Sequence, residues 1–194
     1  CWRQHRCRCF AGLSRRGAFL RSYTALTLFH GLAKGWRLRP CDGMEFRSYM
    51  GQALAEARAA AARGEVPVGA VVVSPEGRIV ATAGNETRAR NDPTAHAEML
   101  ALRAACAAVG SERLIGHALY VTLEPCAMCA GAIAAARLER LFYGAADPKS
   151  GGVAQGARVF SHPQCHHAPQ VFDGIAARDS EQLLTAFFQA KRGG

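Results

Sequence analysis

His96 and Glu98 stand two residues apart in Thr94-Ala95-His96-Ala97-Glu98-Met99, and thirty positions past the histidine comes Glu124-Pro125-Cys126-Ala127-Met128-Cys129. One imidazole and two thiols are the donors zinc favours, in a tetrahedron whose fourth corner a catalytic site leaves to water. These residue types at this spacing predict one Zn2+ held by His96, Cys126 and Cys129. Two thiolates offset the charge of the metal, so its water is acidified less than in a three-histidine site and a nearby base is wanted. Glu98 is placed to take the proton from that water and later deliver it to a substrate. That carboxylate separates a hydrolytic site from a structural staple.

The elements that must position these groups are two helices. Pro125 suits a first helical position, which puts Cys126 and Cys129 three apart on one face. Asp92-Pro93-Thr94 ahead of an Ala/Leu-rich run reads as a helix start, with His96 and Glu98 in the first turn. Residues two apart do not share a face, so the end of that helix, rather than its side, addresses the site. Two helix N-termini then converge on the metal, and their positive ends help keep the thiols ionised. The plainer readings of a His and a Cys-x-x-Cys are core filler, a redox pair or half of a structural zinc knuckle. A knuckle needs a fourth ligand, and the nearest cluster, Cys165-His166-His167, falls in a polar stretch that reads as loop. H-x-E with P-C-x-x-C is a recognised mark of zinc deaminases.

The chain is basic, with 24 Lys plus Arg against 15 Asp plus Glu, a balance that ordinarily suggests a nucleic-acid surface. Its distribution removes that argument, because residues 1–43 carry a net +8 and residues 44–194 only +1. The segment 1–43 is rich in Arg and poor in acid and shows no sustained apolar period. It reads as a leader outside the fold: a start placed too far upstream with Met44 as initiator, ahead of a targeting segment for an organelle or a lipid-anchored Cys1. No stretch approaches the ~20 apolar residues that cross a bilayer. Of the eight cysteines, Cys1, Cys7, Cys9 and Cys41 lie in the leader, Cys106 in an Ala-rich helical run, and Cys126 and Cys129 at the metal. That usage fits a reducing cytoplasm rather than a disulfide framework.

Residues 44–194 suffice for one domain with a full core. Phe46, Tyr49, Met50, Ala53, Leu54 and Ala57 recur at helical spacing from Met44 and end before Gly64. Val68–Val73 and Arg78–Ala83 flank Ser74-Pro75-Glu76-Gly77 as a hairpin. Next come the His96 helix to about Val109, a strand His117–Leu123, the Cys126 helix to Arg137 and a strand Glu139–Tyr143. A last helix carries Leu183, Leu184, Phe187 and Phe188. Strand and helix alternation after a hairpin predicts an α/β domain, a mixed sheet with helices on both faces.

From Met44 to about Arg192 the chain resembles the bacterial tRNA-specific adenosine deaminases, members of the cytidine deaminase-like superfamily. The resemblance is carried by Glu65-Val66-Pro67-Val68-Gly69-Ala70, Asn85, Asp92 through Glu98, Thr122 through Ala132, and Phe142 through Gly151. It implies a cytidine deaminase-like three-layer α/β/α fold around a five-stranded sheet, a homodimer with one Zn2+ per subunit, and adenosine-to-inosine conversion at the first anticodon position of an arginine tRNA. It also implies that Asn85 hydrogen-bonds the flipped base and that Asp147 lies near the bound RNA backbone. By itself Asn85 reads as a turn residue after the second strand.

A domain at +1 has no bulk field for phosphate, so RNA contacts fall to Arg88, Arg90, Lys149, Arg158 and Lys191-Arg192, each of which reads equally as a solvated charge. The competing functions are a deaminase of a free base, nucleoside or nucleotide such as guanine, cytosine or deoxycytidylate; a non-catalytic RNA-binding subunit; and a structural zinc module. Glu98 speaks against the second and the lack of a fourth ligand against the third.

Overall fold

The computed structural model describes residues 47–193. The leader 1–43, and Met44 and Phe46 at the head of the expected first helix, lie outside the described residues.

Strands β1 (Gly69–Val73), β2 (Ile79–Gly84), β3 (Ala118–Leu123), β4 (Arg140–Ala145) and β5 (Gln170–Phe172) form one sheet in the order β2-β1-β3-β4-β5. β1 is antiparallel to β2 and β3, while β3, β4 and β5 run parallel. The helices are α1 (Met50–Ala62), α2 (Ala97–Val109), α3 (Ala127–Ala135) and α4 (Ala177–Arg192).

The side-chain period of two divides the buried strands between two cores. Ala70, Val72, Leu119, Val121 and Leu141 pack with Ala101 and Leu102 of α2 and Ala130 and Ile133 of α3. Val71, Val73, Tyr120 and Phe142 pack on the other face with Met50, Ala53 and Leu54 of α1, beside which α4 lies over β4. The expected three-layer α/β/α sandwich with a five-stranded mixed sheet is therefore present.

The differences from the sequence reading are local. The first helix begins at Met50, and both hairpin strands begin one residue later than expected. β4 continues to Ala145, and a short 3-10 turn, Val159–Ser161, follows it. β5 has no counterpart among the expected strands because all three of its residues are exposed, leaving no alternation to read. Its anchor is a ring ladder: Tyr120 stacks on Phe142 at 4.4 Å and Phe142 on Phe172 at 4.7 Å.

Strand pairing also gathers the pieces of the site. Gly69 pairs with Gly84, and Leu123 with Ala145, so the ends of β2, β3 and β4 reach one edge of the sheet together. From that edge the chain runs into Asn85, into Glu124-Pro125-Cys126 and into Asp147.

Candidate active site

His96 and Cys126 are the residues immediately before α2 and α3, with extended backbone (φ −70°, ψ 151° and φ −69°, ψ 173°). This corrects the expected placements: His96 lies ahead of the first turn, and Cys126 ahead of the helix that contains Cys129. The reason is steric direction. A residue in extended conformation at a helix start swings its side chain away from the helix axis, whereas one inside the turn lies along the surface. Such positions ordinarily take Ser, Thr, Asp or Asn to satisfy free N–H groups. Here neither side chain makes a cap hydrogen bond. Imidazole and thiols turn to one another instead.

His96 Nδ1 lies 3.7 Å from Cys126 Sγ and 3.5 Å from Cys129 Sγ, and the three donor atoms all fall within 4.8 Å of one another. A tetrahedral zinc with bonds of about 2.3 Å to sulfur and about 2.1 Å to nitrogen sets those N-to-S edges at about 3.6 Å. The cluster fits zinc on distance as well as on donor type. Among the described residues no fourth metal-ligating side chain joins it, which is the composition of a catalytic rather than a structural site. Cys129 is fully buried, while His96 and Cys126 are half-buried, so the site has a closed and an open side.

The Cys126 thiol is lowered to about 4, first by the hydrogen bond that Cys129 makes to its sulfur and then by that of His96. Cys129 is pushed up, because it is the donor in that bond and is buried. His96 is raised, chiefly by its contact with Cys126. Cys126 is thus the thiol shifted toward thiolate, the form a metal takes. Glu98, in the first turn of α2, is 4% exposed. Burial raises its pKa above the ordinary carboxyl value, against the opposing pull of its own backbone N–H and of His96. A buried carboxyl beside a metal cluster can hold a proton and release it.

Asn85 sits directly after β2 and is buried, and its side-chain oxygen accepts the Ala97 N–H at 3.2 Å. It supplies to α2 the cap that His96 withholds, and it thereby ties the end of β2 to the metal-bearing helix. Asp147 is further along the same edge. Its N–H donates to Glu124 at 3.1 Å, and its Oδ1 accepts the N–H of Lys149 and Ser150 at 3.0 and 3.1 Å. Structure therefore joins His96, Glu98, Cys126, Cys129 and Asn85, and places Asp147 in a neighbouring loop.

The basic residues read as RNA contacts are partly engaged within the protein. Arg90 pairs with Glu86, Arg158 donates to the Ala154 carbonyl at 3.0 Å, and Arg88 and Lys191 both reach the Gly64 carbonyl, at 3.3 and 3.5 Å. The Cys165-His166-His167 segment stays a loop: Cys165 donates to the His167 carbonyl, and His167 Nε2 meets the Leu138 carbonyl.

Two further glutamates escaped the sequence reading. Glu124, 2% exposed, accepts the N–H of Val153, Ala154 and Gln155 on Oε1 and of Asp147 on Oε2. Glu65, 1% exposed, accepts the N–H of Arg88 and Ala89 and the hydroxyl of Thr87. Each precedes a proline by one or two residues in an otherwise apolar stretch, and an acid so placed is the signal that was available.

A model of the cytidine and deoxycytidylate deaminase zinc-binding region matches residues 44–145. The tRNA-specific adenosine deaminase of Agrobacterium fabrum is 57% identical over 144 residues, 74% of this chain and 94% of that protein. A solved structure from work on A-to-I editing by tRNA:A34 deaminases at the wobble position of transfer RNA is also 57% identical, with a TM-score of 0.69 over 70% of this chain and 98% of the other. Guanine deaminase from Bacillus subtilis aligns more loosely, at 30% identity and a TM-score of 0.52 over 78% of this chain and 96% of its own.

Proposed function

The chain belongs to the zinc-binding cytidine and deoxycytidylate deaminase family, with the tRNA-specific adenosine deaminases among its near relatives, and on that premise we propose that it converts adenosine to inosine at the first anticodon position of a tRNA, an arginine tRNA in particular. The observation that carries the reading is the three-donor cluster with buried Glu98 beside it, in a chain of which 74% matches 94% of such a deaminase.

His96, Cys126 and Cys129 would hold the zinc, which when bound supplies an acidified, oriented water. Glu98 takes a proton from water and gives it to the ring nitrogen of adenine, then takes the proton left on the added hydroxyl and gives it to the leaving amine. Water adds at the carbon bearing the amino group, the C–N bond breaks, and inosine and ammonia result. Asn85, held by its oxygen to Ala97, keeps its amide N–H group to donate to the base. An adenosine in a single-stranded anticodon loop reaches this edge most cheaply, because unstacking there costs least.

We propose further that the enzyme acts as a homodimer in the cytoplasm, where its free thiols stay reduced, that Asp147 lies along the RNA backbone, and that residues 1–43 take no part in catalysis. Among the described residues no helix is long and apolar enough to cross a membrane.

The test is to incubate the chain with an arginine tRNA anticodon stem-loop and, separately, with free adenosine, cytidine and guanine. Inosine in the stem-loop supports the proposal. Turnover confined to guanine or another free base rejects it in favour of a small-molecule deaminase, the reading to which the similarity to guanine deaminase points.

A further inference from the structure

The loop after β4 does not rest on its own contacts alone. Residues 147–155 are drawn against the segment that leads into Cys126, and one side chain holds them at both ends. Oε1 of Glu124 accepts the N–H of Val153, Ala154 and Gln155 at 3.2, 2.8 and 2.9 Å, and Oε2 accepts that of Asp147 at 3.1 Å. The backbone repeats the join: Gly151 bridges to Cys126, and the Gly152 N–H donates to the Pro125 carbonyl at 2.8 Å. Close approach here requires glycine. A Cβ on Gly151 would come within 2.7 Å of the Glu124 carboxyl carbon, and one on Gly152 within 2.5 Å of the Ala127 nitrogen.

Asp147 passes this hold outward. Its own N–H is fixed by Glu124, and its carboxylate fixes the N–H groups of Lys149 and Ser150. Those residues line a cavity of about 590 Å3 with Val66, Leu123, Phe188 and Lys191. The wall of that cavity is therefore set by a carboxyl two residues before a metal ligand.

We propose that Glu124 is a positioning residue for the deamination: it fixes the wall formed by Asp147, Lys149 and Ser150 relative to Cys126, so that substrate bound in the cavity meets the metal in one register. This rests on the reading above that a tRNA loop is the substrate.

Glu124→Gln separates positioning from mere support. The glutamine keeps its oxygen toward the three N–H groups of Val153 to Gln155 and turns its NH2 toward the N–H of Asp147, a donor against a donor. Only the outer end of the loop is released. On the zinc-loaded protein, amide exchange should quicken at Asp147, Lys149 and Ser150 and stay slow at Val153 to Gln155. Zinc content and kcat should hold while KM for the stem-loop rises about tenfold, the scale of one lost hydrogen bond. Gly151→Ala, whose methyl would press on the Glu124 carboxyl, pushes the loop from Glu124 while leaving the carboxylate itself in place; it should give the same rise in KM with kcat held, and it carries the test if the glutamine variant does not fold. Unchanged KM with unchanged exchange at 147–150 overturns the proposal. So does loss of zinc with kcat falling in parallel, since Glu124 would then serve the metal segment. Should the wild type leave the stem-loop unmodified, the tRNA reading fails, and the exchange pattern alone still decides whether Glu124 holds this wall.

Discussion

Glu98 and Glu124 are buried to nearly the same degree, 4% and 2% exposed, within the same edge of the sheet, and their surroundings are opposite. Four backbone N–H groups fill the oxygens of Glu124. Glu98 faces the metal donors, and burial, with a smaller push from Cys126, moves its pKa upward. A carboxyl surrounded by peptide donors is a fixture, and one left among thiols and imidazole is a reagent. Burial by itself does not distinguish them; the identity of the donors does.

The sharpest break of this comparison removes both carboxyls. Glu124→Ala leaves four peptide N–H groups without an acceptor, at about 1–3 kcal/mol each where water cannot replace it. The sum approaches the ~5–15 kcal/mol by which a domain is stable, so little folded protein is expected by circular dichroism. Glu98→Ala should fold, bind one zinc per chain by elemental analysis, and lose turnover by about 10²–10⁴, the usual range for a general acid–base group. Cys126→Ala marks the boundary between the two outcomes, with a folded chain, zinc lost and turnover lost together. A Glu98→Ala enzyme near the wild-type rate would erase the distinction on which the mechanism stands.

Glu65 extends the comparison to a weaker fixture. It holds a loop that is itself exposed at Arg88 and Ala89, so water can reach the freed N–H groups when the acid is removed. Glu65→Ala should cost about 2 kcal/mol, near 1 for each hydrogen bond lost by a peptide N–H, read as a lower denaturation midpoint with zinc content unchanged. A loss as large as that of Glu124→Ala, from fewer and more exposed donors, would show that access of water to the freed N–H groups does not lower the cost.

These roles mark where sequence stops being legible. Ligand types, their spacing and the apolar periods of β1, β3 and α1 are local, and the zinc donors and most elements could be read from them. Placing Cys126 before α3 depends on one ψ angle that Pro125 does not dictate. β5 is exposed throughout and held by the Phe142–Phe172 stack, a contact between residues distant in sequence. Glu124 looks like any acid at a strand end until the loop 147–155 folds back on it. What the residues do alone was visible, and what they do for a distant backbone was not.

Asn85 gives the smallest effect and the finest distinction, because one amide can serve both sides of the comparison. Its oxygen is fixed to the Ala97 N–H, as a fixture, and its NH2 is the half that can meet a base. Asn85→Ala removes both and should cost about 1 kcal/mol of stability, as a lost helix cap does. Asn85→Asp keeps the acceptor and places a negative charge at the N-terminus of α2, which favours it. Its denaturation midpoint should therefore stay close to that of the wild type. Its kcat/KM on the stem-loop should fall with that of the alanine variant, since the donor is gone in each. If Asn85→Asp instead deaminates at the wild-type rate, Asn85 belongs with Glu124 as a support, and base recognition must come from elsewhere along the edge.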